Sequence, residues 1–140
     1  MAKRKTDRKR ILVCDDTQEI LELFEEVLGE MGHEVILMSF APRELERIKE
    51  VDPDLMIIDF VLGGREYQAW QLLQKMKMDR ATARIPVIIC TGAVREVREQ
   101  EGYLTKKGVT IVLKPFDLDD LEQAVESALR IAAVASDNQD

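Results

Sequence analysis

The sequence predicts an α/β fold, a five-stranded parallel sheet doubly wound by helices, and three observations predict it. Five short apolar runs rich in Val, Ile and Leu recur along the chain. Longer stretches with apolar residues at helical spacing alternate with them. The runs are apolar throughout rather than at every second position, as expected for strands buried on both faces. A length of 140 residues holds one such domain and is short for two.

Each element has its own reason. Ile11-Leu12-Val13-Cys14 is too short for a helix and is bounded by charge, so it reads as the first strand. From Ile20 the apolar residues Ile20, Phe24, Val27, Leu28 and Met31 lie on one helix face, with Gly32 as the stop. Val35-Ile36-Leu37-Met38 is the second strand, followed by a short helix over 42–50 opened by Pro42. Leu55-Met56-Ile57-Ile58 is the third strand. A Gly63-Gly64 loop leads from it to a helix from Glu66 to Met78, in which Trp70, Met76 and Met78 read as packing residues. Pro86 opens the fourth strand, Val87-Ile88-Ile89-Cys90, and a polar helix covers 94–101. Val109 to Leu113 is the fifth strand. The last helix runs from Leu118 to about Val134, with Leu118, Leu121, Val125, Ala128, Leu129 and Ala132 on one face. Asp117 is its expected N-cap, and Phe116 the residue that staples onto Leu121. Right-handed crossovers leave a (βα)5 flavodoxin-like sheet of order 2-1-3-4-5 as the natural topology.

Charge and cysteine usage exclude several function classes. The net charge of -7 combines a local +5 over residues 1–10, where six basic side chains face Asp7, with -12 over the remaining 130 residues. A body that acidic repels phosphates over most of its surface, so nucleic acid is not expected as its main ligand. No apolar stretch approaches the roughly 18 residues of a spanning helix. The basic start runs into polar sequence rather than the apolar core of a secretory signal. Cys14 and Cys90 sit inside apolar runs and read as buried, reduced thiols of a cytoplasmic protein. The expected organisation is a basic leader over 1–9, one domain over 10–134 and a polar tail over 135–140. His33, the one histidine, reads as a surface residue in a turn.

In a doubly wound sheet, ligands bind at the carboxyl ends of the strands. There the chain carries Asp15-Asp16, Asp59, Thr91 and Lys114-Pro115, after the first, third, fourth and fifth runs. Three carboxylates on one edge repel one another unless a counter-charge joins them, and Mg2+ suits a half-open oxygen site. A hydroxyl and an ammonium group beside a metal and a carboxylate are the parts of a phosphoryl-transfer site. Each residue alone has a plainer account. Asp16 could cap the first helix with Glu19 as its capping-box partner, Asp59 and Thr91 could simply end strands, and Lys114 could be solvated. It is their conjunction that points to chemistry.

The four segments Ile11–Asp16, Leu55–Asp59, Val87–Gly92 and Val112–Phe116 resemble those of response-regulator receiver domains, over roughly residues 10–134. The resemblance implies that Asp59 accepts a phosphoryl group from a histidine kinase or phosphotransfer protein and slowly loses it to water. It implies Mg2+ on Asp16 and Asp59, with Asp15 acting through water and the Val61 carbonyl completing the protein's share. It assigns Thr91 and Lys114 to the phosphoryl oxygens, with Lys114-Pro115 often cis in the family. It also implies docking of a downstream protein, or a homodimer, on the face formed by the 94–101 helix, the fifth strand and the last helix. The chain departs from the family pattern at Ile111, where an aromatic switch residue is usual, and in the Leu62–Glu66 loop. No DNA-binding output domain follows residue 134 in this sequence, so output by protein docking is expected.

Other readings fit less well. A flavin carrier of this fold needs a Ser/Thr/Gly-rich phosphate loop, and Asp15-Asp16-Thr17-Gln18-Glu19 would repel that phosphate. A haloacid-dehalogenase-type phosphatase needs an acid two residues after its nucleophile, where Val61 stands. A phosphorylation-independent receiver acting as a binding module is the closest alternative, and Ile111 is what favours it.

Overall fold

The five apolar runs all become strands: β1 Arg10–Cys14, β2 Glu34–Met38, β3 Leu55–Ile58, β4 Val87–Thr91 and β5 Val109–Leu113. They pair in the order β2-β1-β3-β4-β5, every pair parallel, as expected. The computed structural model describes residues 8–40, 42, 44–59, 66–92, 108–114 and 116–137, and among these five helices occur. They are α1 Gln18–Glu30, α2 Leu45–Val51, α3 Glu66–Met78, α4 Arg80–Ala83 and α5 Leu118–Asp137. The 94–101 helix, the Gly63-Gly64 loop, Trp70's side chain and the outer ends of leader and tail lie outside the described residues.

Successive side chains of a strand point to opposite faces, so one apolar run feeds two cores. Ile11, Val13, Ile57, Ile88 and Cys90 meet Phe24 and Leu28 of α1 and Leu121 and Val125 of α5. Leu12, Cys14, Met56, Ile58 and Ile89 face the other way, onto Ile48 of α2 and Leu72, Leu73 and Met76 of α3. This double burial is the reason the strands read as continuous rather than alternating runs.

Helix ends follow local chemistry, with some departures from expectation. Gly32, at φ +94°, stops α1 as expected: its N–H donates to the Gly29 carbonyl and that of His33 to the Leu28 carbonyl. Asp117 caps α5, its Oδ1 accepting the Asp120 N–H at 2.9 Å. Phe116 packs into the same core as Leu121, stacked on Phe24 with ring centroids 6.0 Å apart. Helix α2 starts three residues after Pro42, with extended Glu44 as its N-cap, so the proline does not open it. The one-turn α4 was not expected. Asp79 caps it by accepting the Ala81 N–H at 2.8 Å, and buried Thr82 donates its hydroxyl to the Met76 carbonyl at 2.8 Å.

Ile20 packs against the α1 core as expected, beside buried Leu21, and three side chains depart from their expected positions. Leu118 is exposed, while Leu121, Val125 and Ala128 form the buried stripe of α5. Met78 is exposed, two residues and therefore about 200° around the helix from buried Met76. His33 is half-buried rather than on the surface, and its Nδ1 accepts the Lys9 backbone N–H at 3.1 Å.

Candidate functional site

Parallel register sets the site before any side chain does. Cys14 lies beside Met38 on one side and Ile58 on the other, so Asp15 and Asp59 leave adjacent strands at the same level. The Asp15 N–H donates to the Met38 carbonyl and the Asp59 N–H to the Cys14 carbonyl, both at 3.1 Å, which extends the ladder one residue further. Thr91 pairs with Leu113, so Lys114 begins one step past the last pair of β4 and β5. The carboxyl ends of β1, β3 and β5 thus bring Asp15, Asp59 and Lys114 to one edge of the sheet.

Asp15, Asp16 and Asp59 come together with carboxylate oxygens within 4.8 Å of one another. Lys114 reaches across the sheet end to join them. Its Nζ lies 3.1 Å from Asp15 Oδ2 and 3.3 Å from Asp59 Oδ2. The three acids differ in setting: Asp15 is buried, with 2% of its surface exposed, Asp59 is half-buried and Asp16 is exposed. Asp15 Oδ1 accepts the Thr17 N–H at 2.9 Å, which holds the carboxylate in place and turns the chain into α1. The N-cap of α1 is Thr17, without a side-chain cap bond of its own.

The electrostatics follow from this crowding. Burial alone would pull the Lys114 ammonium below its ordinary pKa, but the Asp59 and Asp15 charges and the Asp15 hydrogen bond outweigh it and raise the value. Nearby Cys14 and Cys90 are buried, free thiols pushed up to about 12, Cys14 by burial and then by Asp15. They are not nucleophiles at neutral pH.

Among the described residues one ammonium stands with three carboxylates, and a divalent cation such as Mg2+ fits these hard oxygen donors. The structure therefore gathers Asp15, Asp16, Asp59 and Lys114, as the sequence leads one to expect. Thr91 ends β4 on the same edge, and its hydroxyl lies outside the described residues, as do Val61 and Pro115. What the sequence did not show is that Lys114 pairs with Asp15, 99 residues away, as closely as with Asp59. No local signal encodes that distance.

A family model described as the response regulator receiver domain matches residues 11–126. The chain is 25% identical over 121 residues to sporulation initiation phosphotransferase F of Bacillus subtilis, covering 86% of this chain and 94% of that one. It is 28% identical to the DNA-binding response regulator MtrA of Mycolicibacterium smegmatis over 89% of its length, and spans about half of that relative, 52%. Among solved structures, the CheY-like receiver domain protein of Methanospirillum hungatei superposes with a TM-score of 0.77 at 25% identity, covering 92% of this chain and 99% of that one. NtrX of Brucella abortus gives the same TM-score at 27% identity, covering 93% of this chain and 29% of that one.

Proposed function

Because the chain belongs to the response-regulator receiver family, we propose that it is the phosphoacceptor of a two-component phosphorelay, modified on Asp59 by a histidine kinase or a histidine phosphotransfer protein. Receiver domains are signalling proteins rather than classical enzymes, and the chemistry proposed here is confined to the chain's own modification. One observation carries the reading: three carboxylates converge with the Lys114 ammonium at the carboxyl ends of β1, β3 and β5.

In this reading an Asp59 carboxylate oxygen attacks the phosphorus of a phosphohistidine. The P–O bond of an acyl phosphate forms as the P–N bond breaks, and the imidazole nitrogen leaves with the bonding pair. Lys114, already 3.3 Å from Asp59, exchanges a carboxylate oxygen for a phosphoryl oxygen, and the Thr91 hydroxyl donates to another. Asp16 and Asp59 would hold Mg2+ directly, with Asp15 through water and the Val61 carbonyl as a further ligand. Bound there, the ion would offset the charge gathering on the phosphoryl oxygens. Water later cleaves the acyl phosphate and restores Asp59.

The proposed output is docking of a downstream protein, or of a second copy, on the face that includes β5 and α5. Among the described residues no helix is long and apolar enough to cross a membrane, and a cytoplasmic setting suits the two free thiols. Ile111 is half-buried and packs on the α3 side of the sheet, so a swinging aromatic ring is not available there. The proposed signal is a modest shift of the loop after β4, near Gly92, rather than a ring flip.

Intact-mass measurement after incubation with Mg2+ and a small phosphodonor tests the assignment. The wild type gains one phosphoryl mass and Asp59→Asn gains none. Equal labelling of the variant places the acceptor elsewhere, and no labelling of either identifies a pure interaction module. Amide exchange with and without beryllofluoride tests the output. Changes from Gly92 through Leu113 are expected, and changes confined to the acidic pocket would remove that face from the proposal.

A further inference from the structure

Among the described residues four large apolar side chains stand exposed: Phe40, Met78, Leu118 and Ile131. Single exposed apolar residues are ordinary, so position decides whether they matter. Met78 closes α3 and Ile131 lies in the second half of α5, and in a parallel sheet those helix ends return to the amino ends of the strands. Phe40 and Leu118 stand at the other edge, the one that carries the acidic pocket. Phe40 follows the end of β2 by two residues, and Leu118 opens α5 four residues after Lys114.

The strand order β2-β1-β3-β4-β5 sets these two side chains on either side of Asp59. Asp59 follows the central strand, and neighbouring strands are ~4.8 Å apart, so the chain leaves β2 and β5 each about 10 Å from it across the sheet. Phe40 belongs to the α2 side, where the Arg47 guanidinium lies over its ring, 5.8 Å from the centroid. Leu118 belongs to the α5 side, so a partner that touches both straddles the pocket. Stable interfaces bury about 800 Å² per partner, a footprint roughly 30 Å across. A protein that brings a histidine to Asp59 therefore has the reach to cover both residues, and a small phosphodonor covers neither.

Arg47 supplies the charge of this surface. It is exposed, and among the described residues no carboxylate pairs with it. Its stacking holds the Phe40 ring in place without burying it, which lowers the ordering cost of docking. Aromatic and Arg side chains are the ones enriched in the cores of interfaces.

We propose that Phe40 with Arg47, and Leu118 across the pocket, form the docking surface for the protein that delivers the phosphoryl group. That partner presents its phosphohistidine between two apolar contacts and sets a carboxylate against Arg47. The proposal rests on the phosphoacceptor reading of Asp59 and adds the side chains that distinguish a protein donor from a small one.

Two kinds of donor test it on the full chain. Phosphoramidate carries its phosphoryl group on nitrogen and has no surface to dock. Phosphohistidine-bearing phosphotransfer domains and kinases of the source organism are offered singly, and the fastest is taken forward. Phe40→Ala, Leu118→Ala and Arg47→Glu should each be labelled by phosphoramidate at the wild-type rate, which also shows that each is folded. Transfer from the protein donor should fall by about 10-fold or more in each, as on truncating an interface anchor. Met78→Ala, on the far edge, should match the wild type with both donors. Equal slowing with both donors makes these side chains part of the pocket and overturns the proposal. So does protein transfer that none of the three substitutions changes, or the lack of any protein donor for a wild type that phosphoramidate labels. Self-association of the wild type that Phe40→Ala abolishes assigns the surface to a second copy and overturns it too. No phosphoramidate label on wild-type Asp59 sinks the phosphoacceptor reading and the role of the surface with it, so the two failures are distinguishable.

Discussion

At the scale of the residue, Lys114 has two carboxylate partners among the described residues and in the proposed reaction must give one of them up. Removing its charge takes away a cation that competes for the acidic pocket, so Lys114→Ala should bind Mg2+ as tightly as the wild type or more so, while losing the response to phosphorylation. Its effect on stability has a defined pH window. The folded-state pKa lies above the ordinary lysine value of 10.5, because Asp59 and Asp15 outweigh the opposing effect of burial. The ion pairs therefore stabilise the fold at every pH below that ordinary value and are lost as pH rises through the folded one. The stability difference between wild type and Lys114→Met, followed by denaturant titration, should stay level from pH 7 to 9 and shrink in stronger alkali. A difference that stays unchanged in stronger alkali would mean that Lys114 acts through packing. Residue identity at this site was legible because its members follow apolar runs directly. The state of Lys114 was not, because it depends on carboxylates 99 and 55 residues away.

At the scale of the element, α1 and α5 share one core, and two substitutions separate packing from capping. Phe24 is buried between the sheet and Phe116, so Phe24→Ala should cost about 3–5 kcal/mol. Asp117→Ala removes the acceptor for the Asp120 N–H and should cost about 1 kcal/mol. Asp119→Ala, on the exposed first turn, is the comparison and should cost less. Chemical denaturation orders the three, and an equal loss for Asp117 and Asp119 would deny Asp117 its capping role. Elements with a long period or a strong stop were readable: β3 and β5 have the expected bounds, and Gly32 ends α1. The start of α2 and the whole of α4 were not. One helical turn has no period to detect, and α4 is held by Asp79 and by a buried Thr82 hydroxyl rather than by an apolar stripe.

At the scale of the molecule, the acidic pocket stands at the meeting of strands drawn from most of the chain, so a ligand there should stabilise the whole domain. A cation that binds only the folded state raises stability by about 2.7 kcal/mol at a hundred times its dissociation constant. Mg2+ should therefore raise the thermal midpoint of the wild type. Asp16→Ala should lower Mg2+ affinity by at least the ~10-fold that losing an outer partner costs, and the midpoint shift should fall with it. Calorimetry with and without Mg2+ checks this, and an undiminished shift in Asp16→Ala would move the metal elsewhere.

The sequence by itself determined the sheet, its parallel sense and the edge on which chemistry gathers. Strands buried on two faces must be apolar throughout, and a polar residue directly after such a run must fall at the strand's carboxyl end. It also determined which acids and which lysine stand there, since Asp15, Asp59 and Lys114 are each one step past their strand and Asp16 two. Only the tertiary structure decided how they meet: that Asp15 is buried and turned onto the Thr17 N–H, that Asp16 is left exposed beside it, and that one ammonium spans Asp15 and Asp59. It decided too that His33 holds Lys9 at the foot of α1. These outcomes depend on register between strands and on distances across the sheet, and neither is encoded within any window of neighbouring residues.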